Sequence, residues 1–395
     1  MSFAKRRIVF FSAYYPPHLG GVEKFTQNLS KALTKMGHEV LIVTSSLNKP
    51  ADIAENKPAD IAEKEDKKIR VIEITSKSIM DDRLPIITSP KSIQHTIRRV
   101  NNYNPTDIVI NTRYYPLSLL GCKIAKGLGL RPLVIDHSSG YLSHAKTPTG
   151  FAMRKYESLV TSLMLSSNPV FASVSQGGSK WLSSIGLSCS GIIPNSLDAK
   201  AYKELASDRN WKKEMQVEES NFVIVFAGRL IPEKGPLKLI NAARRLSKTH
   251  SDFVVVIAGD GPLKETISLI NEHWLKFVGK LEQSDLSSLL NASDCFCLPT
   301  EYPEGLPTVL LEAAVQENAI IVSNCAGSEE VVPNEKYGTI LKDTTPQTIA
   351  KSIEQYIDDR SRAAQQASEA HKYVEMAFSW NKTSEKLLDL LDKQH

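Results

Sequence analysis

The run Leu298-Pro299-Thr300-Glu301-Tyr302-Pro303-Glu304-Gly305-Leu306-Pro307-Thr308-Val309-Leu310-Leu311-Glu312-Ala313-Ala314 constrains the fold more than any other part of the chain. It reads as a strand end passing into a helix. Pro307 lacks an amide hydrogen and carries φ near its helical value, so it suits the first helical position, with Val309 to Val315 following as a buried helix. Glu304 then falls in the loop before the helix. Glu312 falls about five residues inside it, roughly 7.5 Å further along at 1.5 Å per residue. The apolar neighbours of Glu312 leave little room for a solvated face, so its carboxylate meets a polar cleft or stands unpaired in a core, which is expensive. The amides of Gly305, Leu306 and Thr308 cluster at the positive end of the helix dipole, a seat for phosphate. Two carboxylates beside an anion seat suit hydroxyl-rich groups on either side of a diphosphate, as in a sugar nucleotide. Glutamates at helix starts are also ordinary dipole partners, so the spacing alone is a weak signal.

The same strand-loop-helix pattern recurs. Ile8 to Phe11 is a short buried strand, followed by Gly20-Gly21 and an amphipathic helix with Val22, Phe25, Leu29 and Leu33 in register, stopped at Gly37. Val40 to Val43, Val71 to Ile74, Ile108 to Ile110, Leu133 to Ile135 and Phe171 to Ser175 continue as strands. A second set begins at Phe222 and runs through Val254 to Ala258, Phe277 to Leu281, Cys295 to Leu298 and Ala319 to Ser323. At 395 residues the chain exceeds one ordinary core, and the expected architecture is two doubly wound α/β domains with a cleft between their sheet edges. The lysine- and acid-rich stretch 196 to 220 reads as the linker. Residues 49 to 63 contain an echo of period eight, Lys-Pro-Ala-Asp-Ile-Ala-Glu, which reads as a duplicated surface loop.

The net charge of +4 hides an asymmetry: residues 1 to 200 carry 26 Lys+Arg against 15 Asp+Glu, whereas the remainder is acidic. A basic half suits a phosphorylated small molecule or an anionic membrane surface. With no zinc spacing and no recognition-helix pattern, nucleic acid is excluded as the expected partner. The segment Phe151 to Leu165 is amphipathic and basic, and reads as core packing, with membrane contact the alternative. The five cysteines are scattered and read as reduced core residues of a cytosolic protein. No signal peptide fits the first residues, and no apolar run reaches membrane-spanning length.

Two strand-end loops carry further candidates. Gly20-Gly21 permits close ligand approach at the carboxyl end of the first strand, although G-x-G-x-x-G is not matched. His137 closes the strand Leu133 to Asp136 on that same sheet edge. In the second set, Arg229 and Lys234 stand at a strand-to-helix loop, where two cations suit a diphosphate.

Pro16-Pro17-His18-Leu19-Gly20-Gly21-Val22-Glu23, Ile193-Pro194-Asn195, Gly228-Arg229-Leu230 with Lys234-Gly235, Gly259-Asp260-Gly261-Pro262-Leu263 and the Glu304 to Glu312 run occur together in this order. In this the chain resembles the GT-B glycosyltransferases, and more narrowly the retaining glycosyltransferase family 4, from about residue 8 to 380. The resemblance implies an acceptor-binding Rossmann-like domain over 1–198 with 376–395 packing back on it, and a nucleotide-sugar-binding domain over 199–375. It implies that Arg229 and Lys234 hold the diphosphate, Glu312 the ribose hydroxyls, and Glu304 with Gly305, Leu306 and Pro307 the donor sugar. It places His137 by the reacting sugar and Gly20-Gly21 near the phosphate or acceptor. The linker motif departs from Pro-Asn-Gly at Ser196.

Breaking the anomeric bond leaves negative charge on the diphosphate, so cations and helix amides at the leaving group should contribute most. There is no Asp-x-Asp pair, and neither a metal nor a cofactor is expected. The expected partners are a nucleotide-sugar donor, a lipid-linked or saccharide acceptor and an anionic membrane surface, with a cytoplasmic or inner-face location in bacterial polysaccharide or glycolipid assembly. The alternatives are a catalytically silent nucleotide- or lipid-binding partner, a pyridoxal-dependent phosphorylase and a nicotinamide oxidoreductase.

Overall fold

The computed structural model describes residues 4–18, 20–46, 69–79, 84–141, 148–301, 305–325 and 327–394. Leu19, the period-eight echo and Glu304 lie outside the described residues. The chain separates into two compact units, Met1–Asn195 with Trp380–His395, and Ser196–Ser379.

The first unit begins β1 (Arg7–Ser12), α1 (Gly21–Lys35), β2 (Glu39–Ser46), β3 (Ile69–Ile79), β4 (Leu84–Ile87) and α2 (Pro90–Tyr103). It continues β5 (Asp107–Asn111), α3 (Pro116–Gly127), β6 (Leu133–Asp136), α4 (Pro148–Leu165), β7 (Val170–Ser173), α5 (Gln176–Ser184) and β8 (Cys189–Ile192). Its sheet has the order β4-β3-β2-β1-β5-β6-β7-β8, parallel except for β4 on β3. The central strands are apolar at successive residues because helices cover both faces. Phe10 and Ile42 pack with Phe25 and Leu29 of α1 on one side; Phe11 and Ile110 pack with Leu120, Val160 and Leu182 on the other.

The second unit opens with α6 (Ala199–Glu204), α7 (Trp211–Glu214), β9 (Phe222–Ala227), α8 (Pro236–Leu246), β10 (Phe253–Ala258), α9 (Lys264–Ser268), β11 (Leu275–Gly279) and α10 (Gln283–Asn291). It closes with β12 (Cys295–Leu298), α11 (Thr308–Val315), β13 (Ala319–Ser323), α12 (Ser328–Val331), β14 (Thr339–Leu341), α13 (Pro346–Asp358) and α14 (Arg360–Ala377). Its six strands are all parallel, in the order β11-β10-β9-β12-β13-β14. The last helix, α15 (Trp380–Asp392), belongs to the first unit, where Leu387, Leu388 and Leu391 join the cluster of Phe25 and Leu29. Arg6 fixes its end by donating to Asp107 at 2.6 Å and to Asp392.

Several expectations are corrected. The stretch 196 to 220 is no linker: Tyr202 and Trp211 are buried in the second core, and the Trp211 indole donates to Ser288 Oγ at 2.8 Å. Its charged residues line the outer sides of α6 and α7, which hid two anchors in a polar composition. Pro307 is the N-cap rather than the first helical residue, with ψ of 117°. Cys189 and Cys325 are only half-buried, unlike Cys122, Cys295 and Cys297. In α4, Val160 and Met164 face the core, but Phe151, Leu159 and Leu163 are exposed, so core packing explains only one stripe. The short strands β4, β8 and β14 escape a reading from sequence: β4 contains Pro85, which argues against a strand, and β8 and β14 carry too little apolar sequence.

A buried ionic cluster joins three elements of the first unit. Arg113, just beyond β5, donates through Nε to Asp136 at 2.8 Å, through Nη1 to Thr161 at 3.1 Å and through Nη2 to Glu157 at 3.2 Å. All three charged side chains are at most 1% exposed. Removing the cation would take its charge and hydrogen bonds from two buried carboxylates, so Arg113→Leu should lower unfolding free energy by about 3–5 kcal/mol. Urea denaturation measures this, and a loss below about 1 kcal/mol would show that the cluster carries no such role.

Candidate functional site

In the second unit the strand order reverses between β9 and β12, and in open parallel sheets ligands sit at the carboxyl ends of such strands. The loops leaving those two ends hold Arg229 with Lys234, and Glu301 through Pro307. They are bonded together: the Glu301 amide donates to Glu233 O at 2.7 Å and Thr300 Oγ1 to the same oxygen at 3.3 Å. Gly235 has φ of 78°, and a Cβ there would stand 2.3 Å from Pro299 O, so only glycine lets the loops close up. The Gly259 to Leu263 motif braces this edge from the other side. The Leu230 amide donates to Asp260 O, and Leu230 O accepts from the Leu263 amide, both at 2.9 Å.

Lys234 is half-buried, in a single 3-10 turn from Pro232 to Lys234. Burial pushes its ammonium down to about 8, and the like charge of Arg229 adds to this, against an opposing influence from Cys325. Arg229 itself is exposed. A cation kept half out of water beside a second cation is poised for an anion, whose charge would relieve both effects.

The mouth of α11 belongs to the same edge. Pro307 provides no side-chain cap, so the first amides of the helix are not satisfied by one. Gly327, at φ 87°, lies where a Cβ would come within 2.1 Å of Gly305 O, which packs the β13–α12 loop carrying Cys325 against Gly305 and Leu306. Through Cys325 the neighbourhood of Lys234 therefore adjoins that of Gly305, Leu306 and Pro307. Glu312 is 8% exposed, and its charge helps push the buried Tyr202 hydroxyl upward, after desolvation. Glu301 pairs with Lys238 at 2.6 Å and accepts from Thr344 Oγ1 at 2.6 Å.

The first unit presents its own edge, where the order reverses between β1 and β5. His137 follows β6, and its Nε2 lies 3.2 Å from Asn111 Oδ1 at the end of β5. Asn111 Nδ2 donates to Thr26 Oγ1 at 2.7 Å, which leaves Oδ1 to accept from the imidazole and fixes the Nε2–H tautomer. Phe25 meets the ring edge-on at 4.7 Å, and burial pushes the His137 pKa down to about 3, so the ring is neutral near pH 7. Gly20 and Gly21 start α1, the helix that carries Phe25 and Thr26. The Glu23 carboxylate folds back to occupy the space a Gly20 side chain would need, at 2.3 Å, whereas Gly21 is open.

His18 and Glu23 stand in the Pro16 to Glu23 motif, but the sequence reading gives them no role there, and it does not single out Tyr14 or Asn111 as members of this edge. Glu23 is 4% exposed and pairs with His18 at 2.6 Å; His18 stacks on Tyr14 at 4.3 Å. An acidic residue in a first helical turn is common enough to carry no signal, and only its burial marks it. Among the described residues no group of three or more His, Cys, Asp or Glu is placed to hold a metal ion.

The second-unit edge joins a cation pair to a helix mouth, and the chain as a whole can be set beside known proteins. The family described as Glycosyl transferases group 1 matches residues 207–373, and that described as Glycosyltransferase Family 4 matches residues 19–200. A putative glycosyltransferase of Bacillus subtilis, YtcC, is 28% identical over 214 residues, 50% of this chain and 52% of that one. A UDP-Gal:alpha-D-GlcNAc-diphosphoundecaprenol alpha-1,3-galactosyltransferase of Escherichia coli is 28% identical over 176 residues, 43% of this chain and 45% of that one. The matches thus span about half the length of these two relatives. The crystal structure of Anabaena HepE in complex with UDP superposes with a TM-score of 0.73 at 17% identity, over 98% of this chain and 100% of that one; the same protein has also been crystallised with UDP-glucose. With family matches across both units and the shared GT-B fold, the chain belongs to the group 1, family 4 glycosyltransferases.

Proposed function

We propose that the chain transfers a hexosyl residue from a nucleoside diphosphate sugar to an acceptor, with retention at the anomeric carbon, in bacterial polysaccharide or glycolipid assembly. The observation that carries this reading is the half-buried Lys234 beside Arg229, on an edge shared with the mouth of α11. As the anomeric C–O bond breaks, the bonding pair leaves with the diphosphate. Fixed cations and helix amides stabilise that charge without reorganising, which makes them the largest contribution to the rate. Arg229 and Lys234 are assigned to the diphosphate, Gly305, Leu306 and Pro307 with Glu304 to the donor sugar, and Glu312 to the ribose hydroxyls. No resident metal or cofactor is assigned.

To the first unit we assign acceptor recognition near Gly20 and Gly21, with His137 as a neutral hydrogen-bonding group for the sugar. Retention rests on the family resemblance. The E. coli relative, named for a diphosphoundecaprenol-linked acceptor, and the basic first half support a lipid-linked acceptor and a cytoplasmic protein in peripheral contact with an anionic membrane. Among the described residues no helix is long and apolar enough to cross a membrane.

A panel of UDP and GDP sugars should raise the melting temperature for one donor, because a ligand bound only by the native state stabilises it by mass action. Arg229→Ala and Lys234→Ala should each weaken that donor on the order of tenfold to a hundredfold, the effect of a charge-assisted hydrogen bond. Unchanged binding in both variants would remove the diphosphate assignment, and binding without transfer to any acceptor would favour a silent partner.

A pH profile tests Lys234 separately. With its free-state pKa lowered to about 8, Lys234 is cationic at pH 7 and loses its proton above pH 8. Binding a diphosphate must then recover that proton, so affinity should be level from pH 7 to 8 and fall by up to about tenfold per unit above. Isothermal titration with UDP measures this, and the fall should vanish in Lys234→Ala.

A further inference from the structure

The first sheet carries two unlike helical layers. On the side of Phe10 and Phe25, α15 mixes exposed Asp389 and Asp392 with Lys386 and Lys393. The other layer is formed by α2, α3, α4 and α5, which pack on Val9, Phe11 and Ile110. Across those four helices the sole carboxylate is Glu157, and it is fully buried against Arg113. The charges this layer shows to water are therefore cationic, among them Lys123, Lys126, Lys155 and Lys180, with Arg131 beside the end of α4.

The same layer exposes apolar surface. Phe151 is 64% exposed, Leu159 60% and Leu163 53%, and with Lys155 they form a row at every fourth residue along α4. Lys155 lies 5.4 Å from the Phe151 ring centroid. The core face of α4 is already supplied by Val160 and Met164, so this row is surplus to packing. Residues four apart lie on one side of a helix, which makes it a mainly apolar ridge with Lys155 set into it.

We propose that this α3–α4 face lies on an anionic lipid bilayer, with Phe151, Leu159 and Leu163 entering the headgroup–acyl boundary and Lys123, Lys126 and Lys155 meeting the lipid charge. This deepens the membrane contact proposed above by assigning its surface. A second copy of the chain fits less well, since a twofold contact would set lysines against lysines. Nucleic acid would satisfy the cations but leave the apolar ridge uncovered.

The test is flotation of the full chain with vesicles of phosphatidylcholine alone and with about one-third phosphatidylglycerol, without donor. Binding should require the anionic lipid and weaken with salt. A Phe151→Ser/Leu159→Ser/Leu163→Ser variant should bind on the order of tenfold more weakly, and Lys123→Glu/Lys126→Glu/Lys155→Glu on the order of a hundredfold more weakly. Both should keep the parent melting temperature, because the substituted side chains are exposed. Failure to bind anionic vesicles, equal binding to neutral vesicles, or unaltered binding in well-folded variants would overturn the proposal. So would an apolar-ridge variant that turns a dimer into a monomer in sedimentation without changing flotation. A donor-induced thermal shift measured without vesicles reports separately on the transferase reading.

Discussion

Everything on the second-unit edge follows from keeping a lysine charged while its surroundings push the proton off. Lys234 sits in a single 3-10 turn, and that turn is held by a backbone bond from Glu301 and by the contact of Gly235 with Pro299 O. Neither of these two restraints involves the ammonium. The site thus holds a half-desolvated cation next to Arg229, and any further negative charge brought there would favour its protonated form. The Glu301 carboxylate is itself paired with Lys238 and Thr344.

The first unit handles its polar residues in the opposite way. Arg113, Asp136 and Glu157 satisfy one another within the core, and Asp136 also accepts from the amide and hydroxyl of Ser138. That fixes the chain on both sides of His137, whose ring remains neutral and is oriented by Asn111. One edge thus holds a half-desolvated cation beside a second one, and the other a neutral, oriented hydrogen-bonding group. Such a division suits a reaction in which charge develops mainly on the leaving group.

Much of this was legible locally. The apolar runs at Ile8, Ile108, Phe222, Val254 and Cys295 are strands, the loops after them contain the glycines and prolines, and the fold class follows from their alternation. Other elements were not. Trp211 and Tyr202 lie in a polar stretch, and nothing short of their burial separates them from a linker. Glu23 reads as an ordinary first-turn acid, yet its carboxylate fills the space over Gly20. The apolar residues of α4 satisfy a core pattern on both sides of the helix, and periodicity cannot tell which side meets the sheet.

By itself the sequence determined which segments are strands and helices and which loops join them, because period, turn residues and proline act over a few neighbours. It thereby brought Arg229 close to Lys234, and Gly305 close to Pro307, within single loops. Only the tertiary structure decided that those loops lie against each other, that Lys234 is desolvated while Arg229 is not, and that Phe151, Leu159 and Leu163 face away from the core. Desolvation and burial depend on what distant parts of the chain exclude from water, and no local pattern encodes that.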